Sequence, residues 1–576
     1  MNSATRFPAD GDALVDLIVL GSGAAGFAAA ATAARKGLKV VLVEKAAQFG
    51  GTSAISGGAV WLYGTDQARA AGVPDSADAM RRYLQKTIGP GYNAALVDAY
   101  IDQGHAALRW LEANTELKYA LRPLSPDYYP DEEGGTDRGR ALEMLEYDGR
   151  RLGAHFKDLK MPPAGMLLFG GMMVNRVDIQ HFLSFRRSPR SLLHCLKLMG
   201  RYAIDRLSHP RGTRLTTGNA LIARLATSAF ADGLQLWLNS RTDSLIVENG
   251  AVVGAMITRD GRQQRVLSRG GVVCATGGFA AGPEAAAQRP HSDAAHLTMS
   301  PETNVGDGLR LGQAAGAVAG EKLAANFFWA PVSEVLHKNG VRERFPHLVT
   351  DRAKPGVIAV NRAGERFVNE SNSYHHFVQT MFATGNTPCW LICDADALNK
   401  YGLGLARPKP VDNSALIDAG YLYRADTAEQ LAARIGVDPQ GLRRTLERYN
   451  RDARDGLDRE FDKGGNSYNR YMGDPDHQPN PCNAPLLKAP WYAIRLHTGD
   501  LGSARGLVTD GQARVLDASG AAIPGLYAAG NDMNSLMDGT YPGPGITIGP
   551  GLTFGWLAAC HAAERLANLP SPVLEQ

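Results

Sequence analysis

Near its C-terminus the chain reads GTYPGPGITIGPGLTFGWLAAC, a Gly- and Pro-dense run that leads into a long apolar helix. Tyr541 stands four residues before Gly545 in this run. A phenol O–H and a backbone N–H that converge on one oxygen form an oxyanion site, able to polarise a carbonyl and acidify the hydrogens beside it. The same kind of turn ahead of a helix start also cradles phosphates or simply packs, and composition alone leaves all three readings open.

Such a site needs elements that bring a cofactor to it. From Asp16 the sequence DLIVLGSGAAGFAAAATAARKGLKVVLVEKA reads as an apolar strand, a glycine turn, an Ala-rich helix and a second strand. In this βαβ unit Gly21 supplies the tight turn, Gly23 the close approach to a pyrophosphate and Gly26 the helix-to-strand packing, with Ala24 and Ala25 opening the helix. Glu44 ends the second strand 23 residues after Gly21, where a carboxylate accepts from ribose hydroxyls, and Lys45 follows it. In the next segment, KAAQFGGTSAISGGAVWLYGT, the small residues Gly51, Thr52, Ser53, Ser56, Gly57 and Gly58 suit backbone lying against a large flat cofactor. VVCATGGFA, with Ala275 and Gly277, and IPGLYAAGNDMN, with Gly530 and Asn531, repeat the strand-to-glycine pattern; Gly545 and Ile548 complete the cofactor set. Three such turns from distant parts of one chain suit FAD better than NAD.

The 576 residues are 44% hydrophobic and 21% charged, with 65 Gly, 31 Pro and 6 Cys, which excludes disorder, collagen and small disulfide scaffolds. The six cysteines form no framework and no metal-ligand spacing, so free thiols and no metal are expected, with Cys389 and Cys393 packed. A net charge of +3, from 61 basic and 58 acidic residues, gives no sign of a nucleic-acid partner. The excess is local: residues 184–214 hold eight Lys/Arg against the single acid Asp205, so the remainder is negative. No leader pattern opens the chain and no apolar run reaches the roughly 18 residues of a membrane span, which predicts a cytoplasmic protein.

GSGAAG with Glu44, FGGTSAISGGAVWLYG, PDYYP, GERFVNESNSYHHF and above all YPGPGITIG together resemble the flavin-dependent 3-ketosteroid 1-dehydrogenases, within the fumarate reductase and succinate dehydrogenase flavoprotein superfamily. The resemblance spans nearly the whole chain. It implies an α/β fold: a Rossmann-like FAD-binding domain of the GR2 type, residues 1–325 and 498–576, with an inserted α+β catalytic domain, residues 326–497. It also implies four roles. Tyr541 and the Gly545 amide hold the steroid C3 carbonyl, Tyr374 removes a C2 proton, and Tyr128 assists it, while the C1 hydride leaves to N5 of FAD. A tyrosine of ordinary pKa near 10 is a poor base at neutral pH, so Tyr374 requires a lowered pKa or a relay through Tyr128.

Two rivals share the fold. In fumarate-reductase-like relatives an Arg stands where this chain has Tyr374, and a phenol cannot clamp a dicarboxylate as a guanidinium does. In ketosteroid 4-dehydrogenases a Ser follows the carbonyl-binding tyrosine by two positions, where this chain has Gly543. Ser373 replaces a Pro usual in the family. Superfamily members that tether FAD use a His in the first Gly-rich stretch, and none occurs between Lys45 and Gly104, so non-covalent FAD is expected. The expected partners are a steroid and an electron acceptor such as a quinone. His375 and His376 read as packing or tuning residues, Arg366 and Glu370 as a structural or relay pair, and His497 and Asp500 as candidates to approach the flavin.

Relative to shorter members of the family, residues 153–214 look like an insertion. Leu192, Leu193, Leu196, Met199, Tyr202, Ala203, Ile204 and Leu207 recur at helical spacing among Arg and Lys. This predicts an amphipathic basic helix, either docked on its own domain or a second subunit, or resting on an anionic membrane surface through 184–214.

Overall fold

The computed structural model describes residues 13–186, 188–291, 295–321 and 323–568, so Arg187 of the basic stretch and the first 12 residues lie outside the description. The chain begins its main sheet with β1 (Leu17–Leu20), crosses over through α1 (Ala24–Arg35) and returns in β2 (Val40–Val43). Residues 153–214 follow, carrying α2 (Arg176–Ser184) and α3 (Pro189–Asp205). Strands β3 (Gln235–Trp237) and β4 (Val272–Cys274) rejoin the sheet. A second unit then supplies β5 (Val357–Val360), α4 (Tyr374–Thr384), β6 (Cys389–Cys393), β7 (Tyr423–Ala425) and β8 (Trp491–Leu496). The chain closes with β9 (Arg514–Leu516), β10 (Ala522–Ala528) and the long helix α5 (Ile548–Ala567).

The main sheet has the order β9-β10-β4-β1-β2-β3. Every residue of β1, β2 and β4 is buried, as parallel strands covered on both faces must be. β4 lies between β1 and β10, with Val272 opposite both Ile18 and Leu526, so segments about 250 residues apart alternate in one sheet. The glycine turns after β1, β4 and β10 therefore leave the same edge, the carboxyl edge at which open α/β sheets bind ligands. α5 lies along α1, and small residues allow the approach: a Cβ on Gly555 would stand 2.4 Å from the Ala25 carbonyl oxygen.

The second unit is an antiparallel sheet, β5-β6-β8-β7, with helices at Ala428–Ile435 and Pro439–Ala453 on one face. Side chains alternate as the strand period requires. Ile358, Val360, Trp390 and Ile392 pack beneath the helices, while Val357, Ala359, Cys389 and Cys393 join the main core. The two cysteines are thus packed free thiols. Residues 498–503 pair with both 296–298 and 327–329, forming a seam between the units. We propose residues 1–325 with 498–576 as the cofactor unit and 326–497 as the catalytic unit.

Candidate active site

At the carboxyl edge of the sheet one cavity of about 2510 Å3 runs from the glycine turns to the second unit and to residues of the 153–214 stretch. A pocket for one small ligand is usually below about 1,000 Å3, so this volume suits a large cofactor and a second molecule together.

The cofactor end is built by close approach. Gly21 has φ +95°, and a Cβ there would lie 2.2 Å from the Ala275 carbonyl oxygen. One on Gly26 would lie 1.9 Å from the Gly21 carbonyl oxygen, so Gly26 packs helix on turn and does not itself line the cavity. Gly23, Ala24 and Ala25 present the start of α1 to the cavity, where the Ala24 amide donates to the Ser53 hydroxyl at 3.0 Å. Glu44 at the end of β2 is held by the Ser22 hydroxyl (2.5 Å) and amide (3.1 Å). Lys45 pairs with Asp307. Gly51, Thr52, Ser53, Ser56, Gly57 and Gly58 form one wall. Ala275, Gly277, Gly530, Asn531, Gly545 and Ile548 form another, its two turns pinned by Asp532, which accepts from the Thr276 hydroxyl (3.0 Å) and the Gly278 amide (2.9 Å). Glycine turns, a helix start and a strand-end carboxylate around one edge fit a dinucleotide.

Tyrosines line the cavity further on. Tyr374 is the first residue of α4, whose N-terminus is capped by Ser373: its hydroxyl accepts from the His376 amide at 3.2 Å. The Tyr128 hydroxyl donates to the Tyr374 hydroxyl at 3.1 Å. The Tyr128 ring stacks on Tyr541 at 5.6 Å and 12°, and Tyr374 meets Tyr541 edge-on at 5.1 Å. All three are buried and line the cavity. The Gly545 amide, in the same turn as Tyr541, has no protein acceptor among the described residues.

A buried scaffold fixes these rings. The amide of Tyr128 and the hydroxyl of Tyr83 both donate to the Pro542 carbonyl, at 3.0 and 2.6 Å, which ties the PDYYP loop to the YPGPG turn. Asp127 accepts from the Trp61 indole (2.7 Å) and from Arg140 (2.8 Å), and Arg140 also pairs with Asp75. Gly543 must be glycine here, because a Cβ would lie 2.4 Å from the Trp61 indole nitrogen. Burial pushes the Asp127 carboxyl up to about 6, against the pull of Arg140 and Trp61. Burial likewise holds Tyr374 well above the ordinary 10, and the neighbouring Tyr128 and Tyr541 add to the rise.

Residues 16–548 match the FAD binding domain family. A 4-oxocyclohex-2-ene-1-carboxylate 5-dehydrogenase of Sinomonas cyclohexanicum is 37% identical, over 96% of this chain and 94% of that protein. A 3-oxosteroid 1-dehydrogenase of Mycolicibacterium smegmatis is 35% identical, over 96% and 98%. The solved 3-ketosteroid delta1-dehydrogenase of Sterolibacterium denitrificans, in complex with 1,4-androstadiene-3,17-dione, superposes with a TM-score of 0.88 at 37% identity, over 96% of this chain and 99% of that one. The chain belongs to the 3-oxosteroid 1-dehydrogenase family of FAD flavoproteins.

The dehydrogenase departs from the sequence reading at His497 and Asp500. His497 and Asp500 do not line the cavity; Asp500 is buried and bound by His296 (2.6 Å) and Thr298 (2.7 Å). Arg366 is forked between Glu370 and Asp458, all buried and away from the cavity, which makes the trio structural. His375 packs: its Nδ1 accepts from the Trp329 amide at 3.1 Å, and burial lowers it to about 3, so it is neutral. Tyr468, 4.9 Å from Tyr128 ring to ring and lining the cavity, escaped the sequence reading. It lies in SYNRYM, with no spacing relation to the other tyrosines.

Proposed function

We propose that this dehydrogenase removes one hydrogen each from C1 and C2 of a 3-ketosteroid. The carrying observation is the buried pair Tyr128–Tyr374 beside Tyr541 and the free Gly545 amide. Tyr541 and Gly545 donate to the C3 carbonyl oxygen, which acidifies the C2 hydrogens and stabilises the enolate-like charge. Tyr374, as phenolate, takes the C2 proton, and Tyr128 donates to its oxygen. Bound FAD supplies the two-electron acceptor for the hydrogen leaving C1. A 4,5-desaturation is disfavoured, because this chain has Gly543, packed against Trp61, where the 4-dehydrogenases have a Ser.

The 37% identical relative acts on a small ring acid, so substrate size separates two readings. The cavity favours the steroid: beyond the tyrosines its wall continues into Phe169, Leu192, Leu196 and Met199 of the inserted region. An anaerobic titration with 4-ene-3-ketones, with and without a C17 side chain, and with 4-oxocyclohexanecarboxylate tests this. The steroids should bleach the flavin and yield 1,4-dienes by mass. Bleaching by the small acid alone sinks the steroid reading.

We further propose that FAD is held without a covalent bond; no histidine lines the cavity among the described residues, and acid precipitation should release the flavin to the supernatant. The inserted region is proposed to rest on an anionic membrane. α3 buries Cys195 and Leu198 but leaves Leu193 70% and Ile204 68% exposed, with Arg190 and Lys197 exposed beside them. The same helix lines the cavity through Leu192, Cys195, Leu196 and Met199, which supports entry of an apolar substrate and a quinone acceptor from the lipid. No helix among the described residues is long and apolar enough to cross a membrane. Flotation with anionic liposomes should carry the protein, and Leu193→Glu with Ile204→Glu should abolish it. Equal flotation of both forms contradicts the contact.

A further inference from the structure

Resting on the tyrosine-base reading above, a problem of charge remains. Burial disfavours a phenolate at Tyr374, and the residues touching its hydroxyl are themselves phenols. A cation bound to the turn that carries Tyr374 would resolve this, and the fold contains one that the roles given above leave unused.

Arg352 is 3% exposed. Among the described residues its guanidinium donates only to backbone carbonyls: His347 at 2.8 Å, Leu348 at 3.3 Å, Glu370 at 2.8 Å and Asn372 at 3.0 Å. Among the described residues it makes no ion pair, in contrast to Arg366, which is fully neutralised by Glu370 and Asp458. The neighbouring Asp351 carboxylate is directed elsewhere: it accepts from His347 Nδ1 (2.6 Å), from the Gly404 amide (3.1 Å) and from the backbone amide of Arg352 (2.9 Å). A buried guanidinium without a carboxylate is costly unless the site supplies negative charge of its own.

Two of the four carbonyls decide where that charge would be. Glu370 and Asn372 lie in the turn that leads directly into Ser373 and Tyr374, so the guanidinium clamps the start of α4. Its Cζ also lies 5.1 Å from the centre of the ring of Phe377, which stands on α4 one turn beyond Tyr374. The titratable groups around it are His347 and Asp351 on its own loop, Glu370, His376 on α4, Cys389 on β6, and Tyr128 and Tyr468 of the cavity wall. Its charge draws Tyr468 down, against the burial that raises it.

We propose that Arg352 is a positioning residue that acts through Tyr374: it fixes the turn carrying that tyrosine and supplies the buried positive charge that lets the tyrosine group hold a phenolate. The resting phenol gives its proton to solvent, and the phenolate oxygen then takes the C2 proton, so the cycle closes on the neutral phenol.

The test compares the holoenzyme with Arg352→Met, Arg352→Gln and Arg352→Lys, following kcat/KM against pH with a 4-ene-3-ketosteroid. Without the charge, in Met or Gln, the rising limb should move at least one pH unit upward, a tenfold or greater loss at neutral pH that is recovered at high pH. Arg352→Lys keeps the charge and should leave the limb within about half a unit, even where kcat falls. If Arg352→Met holds no flavin, Arg352→Gln, which retains donors for the carbonyls, carries the same comparison. A limb unmoved by loss of the charge overturns the proposal, whatever the loss of turnover. Titration of tyrosinate by ultraviolet difference without substrate separates this outcome from failure of the steroid reading. Its midpoint should rise in Gln or Met even if no steroid is turned over, and an unchanged midpoint contradicts Arg352 alone.

Discussion

The hydroxyl of Tyr128 donates to the hydroxyl of Tyr374 across 3.1 Å, joining side chains 246 positions apart in the chain. The two tyrosines come from different proposed units, Tyr128 from the loop tied to the YPGPG turn and Tyr374 from the first turn of α4. A base assembled across this junction works only when both units hold their places, so its chemistry reads out the packing as well as the residue.

The elevated pKa of Tyr374 fixes the sign of the pH dependence. The active form is the phenolate, so a pKa held above its ordinary value makes its population small near neutrality and growing with pH. The rate of flavin reduction by substrate should therefore rise about tenfold per pH unit through the neutral range. A flat profile from neutral to alkaline pH would contradict a tyrosine base.

Tyr541→Phe removes one of the two donors proposed for the carbonyl oxygen and leaves the ring packing against Tyr128 and Phe328. Flavin reduction should slow by about 10²–10³-fold, the usual effect of losing one oxyanion donor, with FAD content unchanged. Normal reduction in a variant that retains FAD would remove Tyr541 from the chemistry.

Asp127 acts at a distance. Asp127→Ala leaves the Trp61 indole without its acceptor and Arg140 with Asp75 as its remaining carboxylate. Breaking a buried pair costs about 3–5 kcal/mol, so a lowered melting temperature is expected together with slower turnover, since Tyr128 is the next residue. Unchanged thermal unfolding would show that the scaffold bears little on stability.

Much of this arrangement was legible in the sequence because it is local. The turn at Gly21, the strands LIVL and VVLV and the small residues of GGTSAISGG each carry their reason within a few positions. Tyr374 and Tyr541 were reached through short motifs, and the helix spacing around Leu192 was met by α3. Tyr468, Arg352 and the Trp61–Asp127–Arg140 scaffold were not legible. Their partners lie far along the chain, and nothing in the type or spacing of a lone Arg or Tyr shows that it is buried with no carboxylate bonded to it. Asp500 failed for the converse reason: its place in HTGD ahead of an expected strand suggested the flavin, whereas the pairing of residues 498–503 with 296–298 turns it toward His296.

Gly545 has φ +114°, and a Cβ there would stand 2.5 Å from the Ala59 carbonyl oxygen. Gly545→Ala should displace the turn that carries the free amide, with loss of turnover and weakened FAD retention. A variant with normal activity and flavin content would show that the amide's position is not critical.

The most direct test is a single-turnover measurement of flavin reduction in Tyr374→Phe, mixed anaerobically with a 4-ene-3-ketosteroid. The variant should retain FAD and bind the steroid while reduction falls by about 10²–10⁴-fold, the contribution of a general base. Reduction at a near-normal rate would contradict the assignment of proton removal to Tyr374 and the account built on it.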